Sequence, residues 1–161
     1  MITMKTAVYP GAFDPPTFGH LDIIKRSSAI FDILIVAIME NPQKQTFFTP
    51  QEKKEMLEIL CKDFENVKIV IGNGLTVDLA QKHHAKFLVR GIRAIMDYEY
   101  ELQIASANMV IGEGIETVFF LAKPEHSYLS STITRSIAEN HGDISMFIPE
   151  SIKKIVEDKY K

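Results

Sequence analysis

The chain has 161 residues, 46% of them hydrophobic, which suits one domain, 1–161, with its own core and leaves little for a linker and a second domain. Formal net charge is 18 − 21 = −3, so there is no global basic field of the kind that nucleic acid or an anionic membrane attracts, and any cation used on phosphate must act locally. A single cysteine, Cys61, excludes an intramolecular disulfide and a thiolate zinc cluster and is expected to pack in the core; with no signal-like leader and no apolar run near the ~18 residues of a membrane span, a soluble cytoplasmic protein is expected.

The first predicted strand, residues 5–9, runs into Tyr9-Pro10-Gly11-Ala12-Phe13-Asp14-Pro15-Pro16-Thr17-Phe18-Gly19-His20. Pro10, Pro15 and Pro16 forbid helix before Thr17, and Leu21, Ile24, Ser28 and Phe31 then recur at helical spacing, predicting a helix over 19–30. The N–H groups of Phe18 to Leu21 are expected to be the unpaired donors of that helix, a phosphate-handling turn with His20 among them. A helix N-terminus disfavours imidazolium, so His20 is expected to stay neutral and donate one N–H to an anionic oxygen. The plainer alternative is that His20 caps its own helix and Gly19 only permits tight packing.

The second strand, 33–39, is apolar without alternation, as are the third, 67–71, and the fifth, 116–122, which is the pattern of a parallel sheet covered on both faces. The polar loop Asn41 to Thr46 after the second strand carries one cation, Lys44, in reach of a phosphate; a solvated lysine is the alternative. Thr49-Pro50-Gln51-Glu52 opens a helix over 50–64 with an N-cap, a first-position proline and a capping-box glutamate. Gly72 to Thr76 leads from the third strand into a helix over 75–84 that ends at His83 and His84.

After the fourth strand, 86–90, comes Arg90-Gly91-Ile92-Arg93, then Asp97 and Glu101 on a helix over 97–111. The arginines either pair with the glutamates of that helix or, with Gly91 permitting close backbone approach, offer two planar forks to phosphate oxygens. The helix carries two apolar stripes, Tyr98-Leu102-Ala105-Met109 and Tyr100-Ile104-Ala107-Ile111; a surface helix needs one, so the second suggests a subunit contact. The fifth strand leads through His126 to Thr132 into a helix over 131–140, and the last helix spans 150–160. Of three successive hydroxyls, Ser130, Ser131 and Thr132, one serves as N-cap; the others, with backbone N–H groups, are left for phosphate, and Arg135 lies on the same face as Thr132. Gly112 and Gly142 read as helix stops. No histidine has a second ligand at metal-binding spacing, and no protein-held metal is expected.

These alternating elements describe an α/β, Rossmann-like doubly wound sheet of five parallel strands with C-terminal helices. In such sheets ligands bind beyond the carboxyl ends of the strands, which is where every motif above falls.

The stretch Y-P-G-x-F-D-P-x-T-x-G-H resembles the signature of the adenylyl- and cytidylyltransferase superfamily, and S-S-T-x-x-R looks like its second signature. The segment R-G-x-R-x-x-x-D-Y-E-Y-E is similar to one diagnostic of the bacterial phosphopantetheine adenylyltransferase family. The resemblance runs from Tyr9 through Thr132 by motif and to Lys161 by length. It implies reversible transfer of AMP from ATP to 4′-phosphopantetheine, giving dephospho-coenzyme A and pyrophosphate in coenzyme A biosynthesis. It also implies Mg²⁺ carried by ATP, a homohexamer, and no nucleic-acid or membrane partner. Catalysis would fall to His20, Lys44 and Arg93. Arg90, with Lys44, Thr76 and the position of Ala12, would meet phosphopantetheine. ATP would meet Ala12, Phe13, Gly19, His20, Gly91, Ile92 and Arg93, with its ribose on Glu101. Its adenine would lie along His126, Ser127, Tyr128 and Leu129, and its outer phosphates on Ser130, Ser131 and Thr132. Asp97 would orient Arg93 or Arg90. Three positions depart from the family: Ala12 replaces a threonine, and Ser136 and Asn140 stand where relatives often show Glu and His. Two further readings stay open. One is a sibling enzyme acting on glycerol phosphate or nicotinate mononucleotide; the other is a nucleotide-binding regulatory module without turnover, conceivable because of Ala12.

Overall fold

In a computed structural model, which describes residues 3–161, strands β1 (Thr6–Gly11), β2 (Ile33–Glu40), β3 (Val67–Asn73), β4 (Phe87–Ile92) and β5 (Glu116–Leu121) form one sheet in the order β3-β2-β1-β4-β5. Every neighbouring pair is parallel, as crossover helices require. The crossovers are α1 (Phe18–Ser28), α2 (Pro50–Cys61), α3 (Thr76–Lys82) and α4 (Ile95–Ile111), and α5 (Ser131–Glu139) and α6 (Glu150–Asp158) follow the last strand. The doubly wound parallel sheet read from the sequence is thus present, with one unanticipated 3₁₀ turn at Pro124–His126.

Successive side chains of β1 serve opposite faces. Ala7 and Tyr9 pack with Ile24, Leu34, Val36 and Leu57 beneath α1 and α2, while Val8 packs with Ile35, Ala37, Val77, Ala80 and Leu88 on the α3 side. A third apolar cluster, Phe48, Met56, Ala138, Ile148, Ile152 and Val156, fastens α5 and α6 onto α2. Cys61 is buried in the first cluster, and burial pushes its thiol up to about 12, so it acts as a small core residue.

β1 continues two residues past its predicted end, through Pro10 to Gly11, although a central strand ordinarily rejects proline. The β1–β4 ladder ends at Val8, while the β1–β2 ladder continues to Gly11. The Pro10 carbonyl faces β4, where it accepts from Arg90, so the donor that proline lacks would have pointed into a gap where pairing has already stopped.

Gly112 and Gly142 follow α4 and α5, but neither supplies a left-handed residue; His141 does, with φ of 57°. A Cβ at Gly112 would meet Val77 at 2.6 Å and one at Gly142 would meet Ile137 at 2.6 Å, so close approach accounts for both glycines. On α4 only Glu101 and Ala105 are buried. Both predicted stripes lie largely open, and Val110 is 85% exposed. Among the described residues, no helix is long and apolar enough to cross a membrane.

Candidate active site

Where β1 and β4 part, a cleft of about 580 Å³ opens between the loops that follow β1, β4 and β5. Its size and position at the strands' carboxyl ends suit a small-molecule site. His20 reaches it from the first turn of α1. Thr17, in extended conformation, is the N-cap: its hydroxyl accepts from the His20 N–H at 3.4 Å, and its own N–H donates to His20 Nδ1 at 3.0 Å. An accepting Nδ1 places the ring proton on Nε2. His20 therefore caps its helix, as the plainer reading held, while its second nitrogen remains a donor.

The ring sits edge-on to Phe13, with centroids 4.9 Å apart. Its pKa is pushed down from 6.5 to about 4, first by burial and then by the positive charges of Arg93 and Arg90. The neutral imidazole expected from the sequence follows, but burial leads the cause rather than the helix end. The expectation of four unpaired donors at the mouth of α1 needs correction. Phe18 N–H donates to the Phe147 carbonyl at 3.0 Å, Leu21 N–H to the Thr17 carbonyl at 3.0 Å, and His20 N–H to the Thr17 hydroxyl. Among the described residues, only the Gly19 N–H of this turn lacks an acceptor. A Cβ at Gly19 would come no closer than 3.4 Å to any neighbour, so packing does not demand this glycine, which lines the cleft.

Arg90 and Arg93 line the opposite wall, and each is immobilised before any ligand arrives. Arg90 donates through Nε and Nη2 to the two oxygens of Glu101 at 2.8 and 2.6 Å, and through Nη1 to the Pro10 carbonyl at 2.5 Å. Three of its five N–H groups are committed, leaving two for the cleft. Arg93 donates through Nη1 to the Leu129 carbonyl. Asp97 braces it, with an oxygen 3.4 Å from Arg93 Nε and 3.3 Å from its backbone N. Asp97 thus orients Arg93, not Arg90. Of the two readings of the arginine pair, the ion pair is present: Arg90 pairs with a glutamate of the next helix, and its side chain also lines the cleft. Gly91 and Ile92 supply backbone between them, and a Cβ at Gly91 would make only ordinary contact with Ile23, at 3.4 Å.

The third wall is the start of α5. Ser130 is its N-cap, accepting from the Ile133 N–H at 3.0 Å, and the Ser131 hydroxyl donates to the Pro15 carbonyl at 2.7 Å. Ser131 therefore spends its proton internally, whereas Ser130 only accepts and keeps its own; the Ser130 and Thr132 hydroxyls and the first N–H groups of the helix remain as donors on the cleft wall. Arg135, expected on the face of Thr132, turns instead to Asp14, donating to its carbonyl and standing 3.5 Å from its carboxylate. His126 and Leu129 line the cleft, with the His126 ring stacked over Phe18 at 6.4 Å.

Five expected residues do not line it. Phe13 is 1% exposed and supports His20 from the core. The Ser127 hydroxyl donates to the Pro124 carbonyl, and Tyr128 packs edge-on against Phe147. Thr76 begins α3, and Lys44 stands exposed on the loop after β2, its N–H donating to the Asn41 carbonyl at 2.9 Å. Two residues missed by sequence reasoning hold the site together: Thr17, whose extended conformation and spacing from His20 form a capping box, and Asp14, a buried carboxylate among prolines. Phe13 before Asp14 and the two prolines after it were the available signal, since an acidic residue in an apolar turn must find donors.

The cytidylyltransferase-like family model matches residues 8–137. A phosphopantetheine adenylyltransferase from Lachnoclostridium phytofermentans is 53% identical over 157 residues, covering 98% of this chain and 96% of the relative. Phosphopantetheine adenylyltransferases from Caldanaerobacter subterraneus subsp. tengcongensis and Alkaliphilus metalliredigens are each 41% identical, over 98% and 97% of this chain and 99% of either relative. A crystal structure assigned to a nicotinate-nucleotide adenylyltransferase of Vibrio parahaemolyticus superposes with a TM-score of 0.68 at 19% identity, covering 98% of this chain and 95% of that one, a likeness of fold.

Proposed function

The chain belongs to the phosphopantetheine adenylyltransferase family within the cytidylyltransferase-like proteins, and on that premise we infer that it transfers AMP from ATP to 4′-phosphopantetheine, yielding dephospho-coenzyme A and pyrophosphate. In that reaction an oxygen of the acceptor phosphate forms a bond to the α-phosphorus of ATP, the bond from that phosphorus to the bridging β-oxygen breaks, and pyrophosphate leaves with the electron pair. The nucleophile is already an anion, so no base has to strip a proton from it. The observation that carries the reading is that the cleft offers donors and no free base: Glu101 is tied to Arg90, Asp97 to Arg93, and His20 is kept neutral with its donor outward.

Such a site works by orientation and by stabilising charge on the transferring phosphoryl group. The remaining N–H groups of Arg90 receive the acceptor phosphate, and Nε2–H of His20 and the guanidinium of Arg93 meet the α-phosphate as negative charge builds on it. The Gly19 N–H, the Thr132 hydroxyl and the start of α5 hold the departing pyrophosphate. Lys44, the exposed cation on the loop after β2, is assigned to the reacting phosphates.

Magnesium enters this proposal as the ion of the ATP complex, coordinated by phosphate oxygens and water, where it neutralises the polyphosphate. The open apolar surface of α4, from Ile95 to Ile111, supports a homohexamer in which a second copy covers it. A cytoplasmic enzyme follows from its substrates. The test is pyrophosphate release from purified protein given Mg²⁺, ATP and 4′-phosphopantetheine, beside CTP with glycerol 3-phosphate and ATP with nicotinate mononucleotide. Release with phosphopantetheine alone is expected. Release in either parallel arm would reassign the acceptor, and silence in all three with ATP still bound would make the protein a nucleotide sensor.

A further inference from the structure

One buried carboxylate that faces no substrate ties the active-site loops to each other. Asp14 is 5% exposed in the loop between β1 and α1. Its Oδ2 accepts the N–H of Phe47 and its Oδ1 the N–H of Phe48, each at 2.9 Å. These successive amides form the corner at which the loop carrying Lys44 turns into α2. Asp14 is itself held by Arg135, which donates to its carbonyl and lies 3.5 Å from Oδ2. The outer side of the same corner is covered by the C-terminal segment: the Phe47 ring stacks on Tyr160, with centroids 4.5 Å apart and an interplanar angle of 10°. Lys44 is three residues from Phe47, at most about 10 Å of extended chain, so wherever the corner sits limits where Lys44 can reach.

We propose that Asp14 is a positioning residue for adenylyl transfer: by binding the Phe47 and Phe48 amides it fixes the corner from which the Lys44 loop springs. The inference rests on the reading of Lys44 given above. Two charge-assisted hydrogen bonds to consecutive amides hold backbone direction as well as place, and these are among the stronger neutral-donor contacts a protein makes. Displacing a catalytic cation by about 1 Å from a site remote from the chemistry is enough to cost up to roughly a hundredfold in rate.

The test is a double-mutant cycle of Asp14→Asn and Lys44→Ala, followed by pyrophosphate release and by amide hydrogen exchange. Asparagine keeps the shape but turns one acceptor into a donor facing an N–H. Asp14→Asn is expected to lower kcat by tenfold to a hundredfold in the wild-type background. In the Lys44→Ala background it should change kcat by less than about twofold, and protection should be lost at the Phe47 and Phe48 amides. Multiplying effects in the cycle would overturn the proposal, as would retained protection at those two amides. Should Asp14→Asn not fold, Tyr160→Ala loosens the same corner from outside and must show the same dependence on Lys44. Full turnover by Lys44→Ala also overturns the proposal, through the reading it rests on, whereas a wild-type protein inactive toward phosphopantetheine would point to the functional assignment and leave the exchange measurement to judge the clamp.

Discussion

The protonation of His20 is the property of this site most open to direct test. Nδ1 accepts from the Thr17 N–H, the ring abuts Phe13, and burial together with Arg93 and Arg90 lowers its pKa from 6.5 to about 4. A base whose folded pKa is depressed binds fewer protons folded than unfolded between those two values, so its contribution to stability is full above about 6.5 and is lost as pH falls toward about 4. The span corresponds to at most about 3.5 kcal/mol, since each pKa unit is worth about 1.4 kcal/mol. Carboxylates titrate in the same range, so the measurement is a difference: urea unfolding of wild type and of His20→Gln at several pH values, in which the stability of wild type relative to the variant falls by up to about 3 kcal/mol between pH 6.5 and 4. Pyrophosphate release provides the functional half. Glutamine retains an N–H donor near the position of Nε2 and alanine does not, so His20→Ala should lose about a hundredfold to a thousandfold in kcat and His20→Gln distinctly less. A wild-type alkaline limb, with activity lost as pH rises through an apparent pKa near 6.5, that vanishes in His20→Gln would refute the neutral-donor assignment, because it would require an imidazolium at work.

Three further outcomes follow from named contacts. Glu101→Gln replaces a bidentate carboxylate by an amide; with the Arg90 side chain 32% exposed, solvent offsets part of the loss, and we expect about 1–3 kcal/mol in thermal unfolding together with a higher KM for phosphopantetheine. Ala12→Thr adds a hydroxyl at an exposed position on the cleft wall; a hydrogen bond to a charged phosphate is worth roughly 1.5–3 kcal/mol, so calorimetry should show acceptor binding tightened by about tenfold to a hundredfold, and an unchanged Kd would mean that backbone or water already fills that role. Val110→Glu puts a charge on the open face of α4; sedimentation should report a smaller assembly, whereas an unaltered one would place the subunit contact elsewhere.

What could be read from the sequence is what its neighbours in the chain decide. The helix start at Thr49 carries its own cap within three residues and was read from them, while the equally local capping box at Thr17 was passed over. The apolar runs of β2 and β3 announce a sheet covered on both faces without reference to anything distant. What could not be read is settled between residues far apart: Ser131 with Pro15 across 116 positions, Arg135 with Asp14 across 121, Arg93 with Leu129 across 36. Each took a side chain or donor that the motif alone left available to phosphate. The β1 boundary was misplaced for the same reason, since Pro10 is tolerated only because β4 has already diverged from it.

Those distant contacts sort each motif into a part that holds posture and a part left to the ligand. In the turn before α1, Thr17 secures Nδ1 of His20 and leaves its Nε2 uncommitted. Of the arginines, each spends a donor on a backbone carbonyl, Pro10 or Leu129, and a further contact on a carboxylate, so neither has to be ordered when phosphate arrives. At α5, Ser131 spends its proton on Pro15, while Ser130 caps the helix as an acceptor and, like Thr132, keeps its proton. Donors fixed in advance stabilise a developing charge without the reorganisation that water or mobile side chains would need, and that is the main source of rate available to a transfer with no proton to move. Lys44 is the exception, the one assigned cation left in solvent on a loop, and it is therefore the group whose placement the rest of the fold has to secure from a distance.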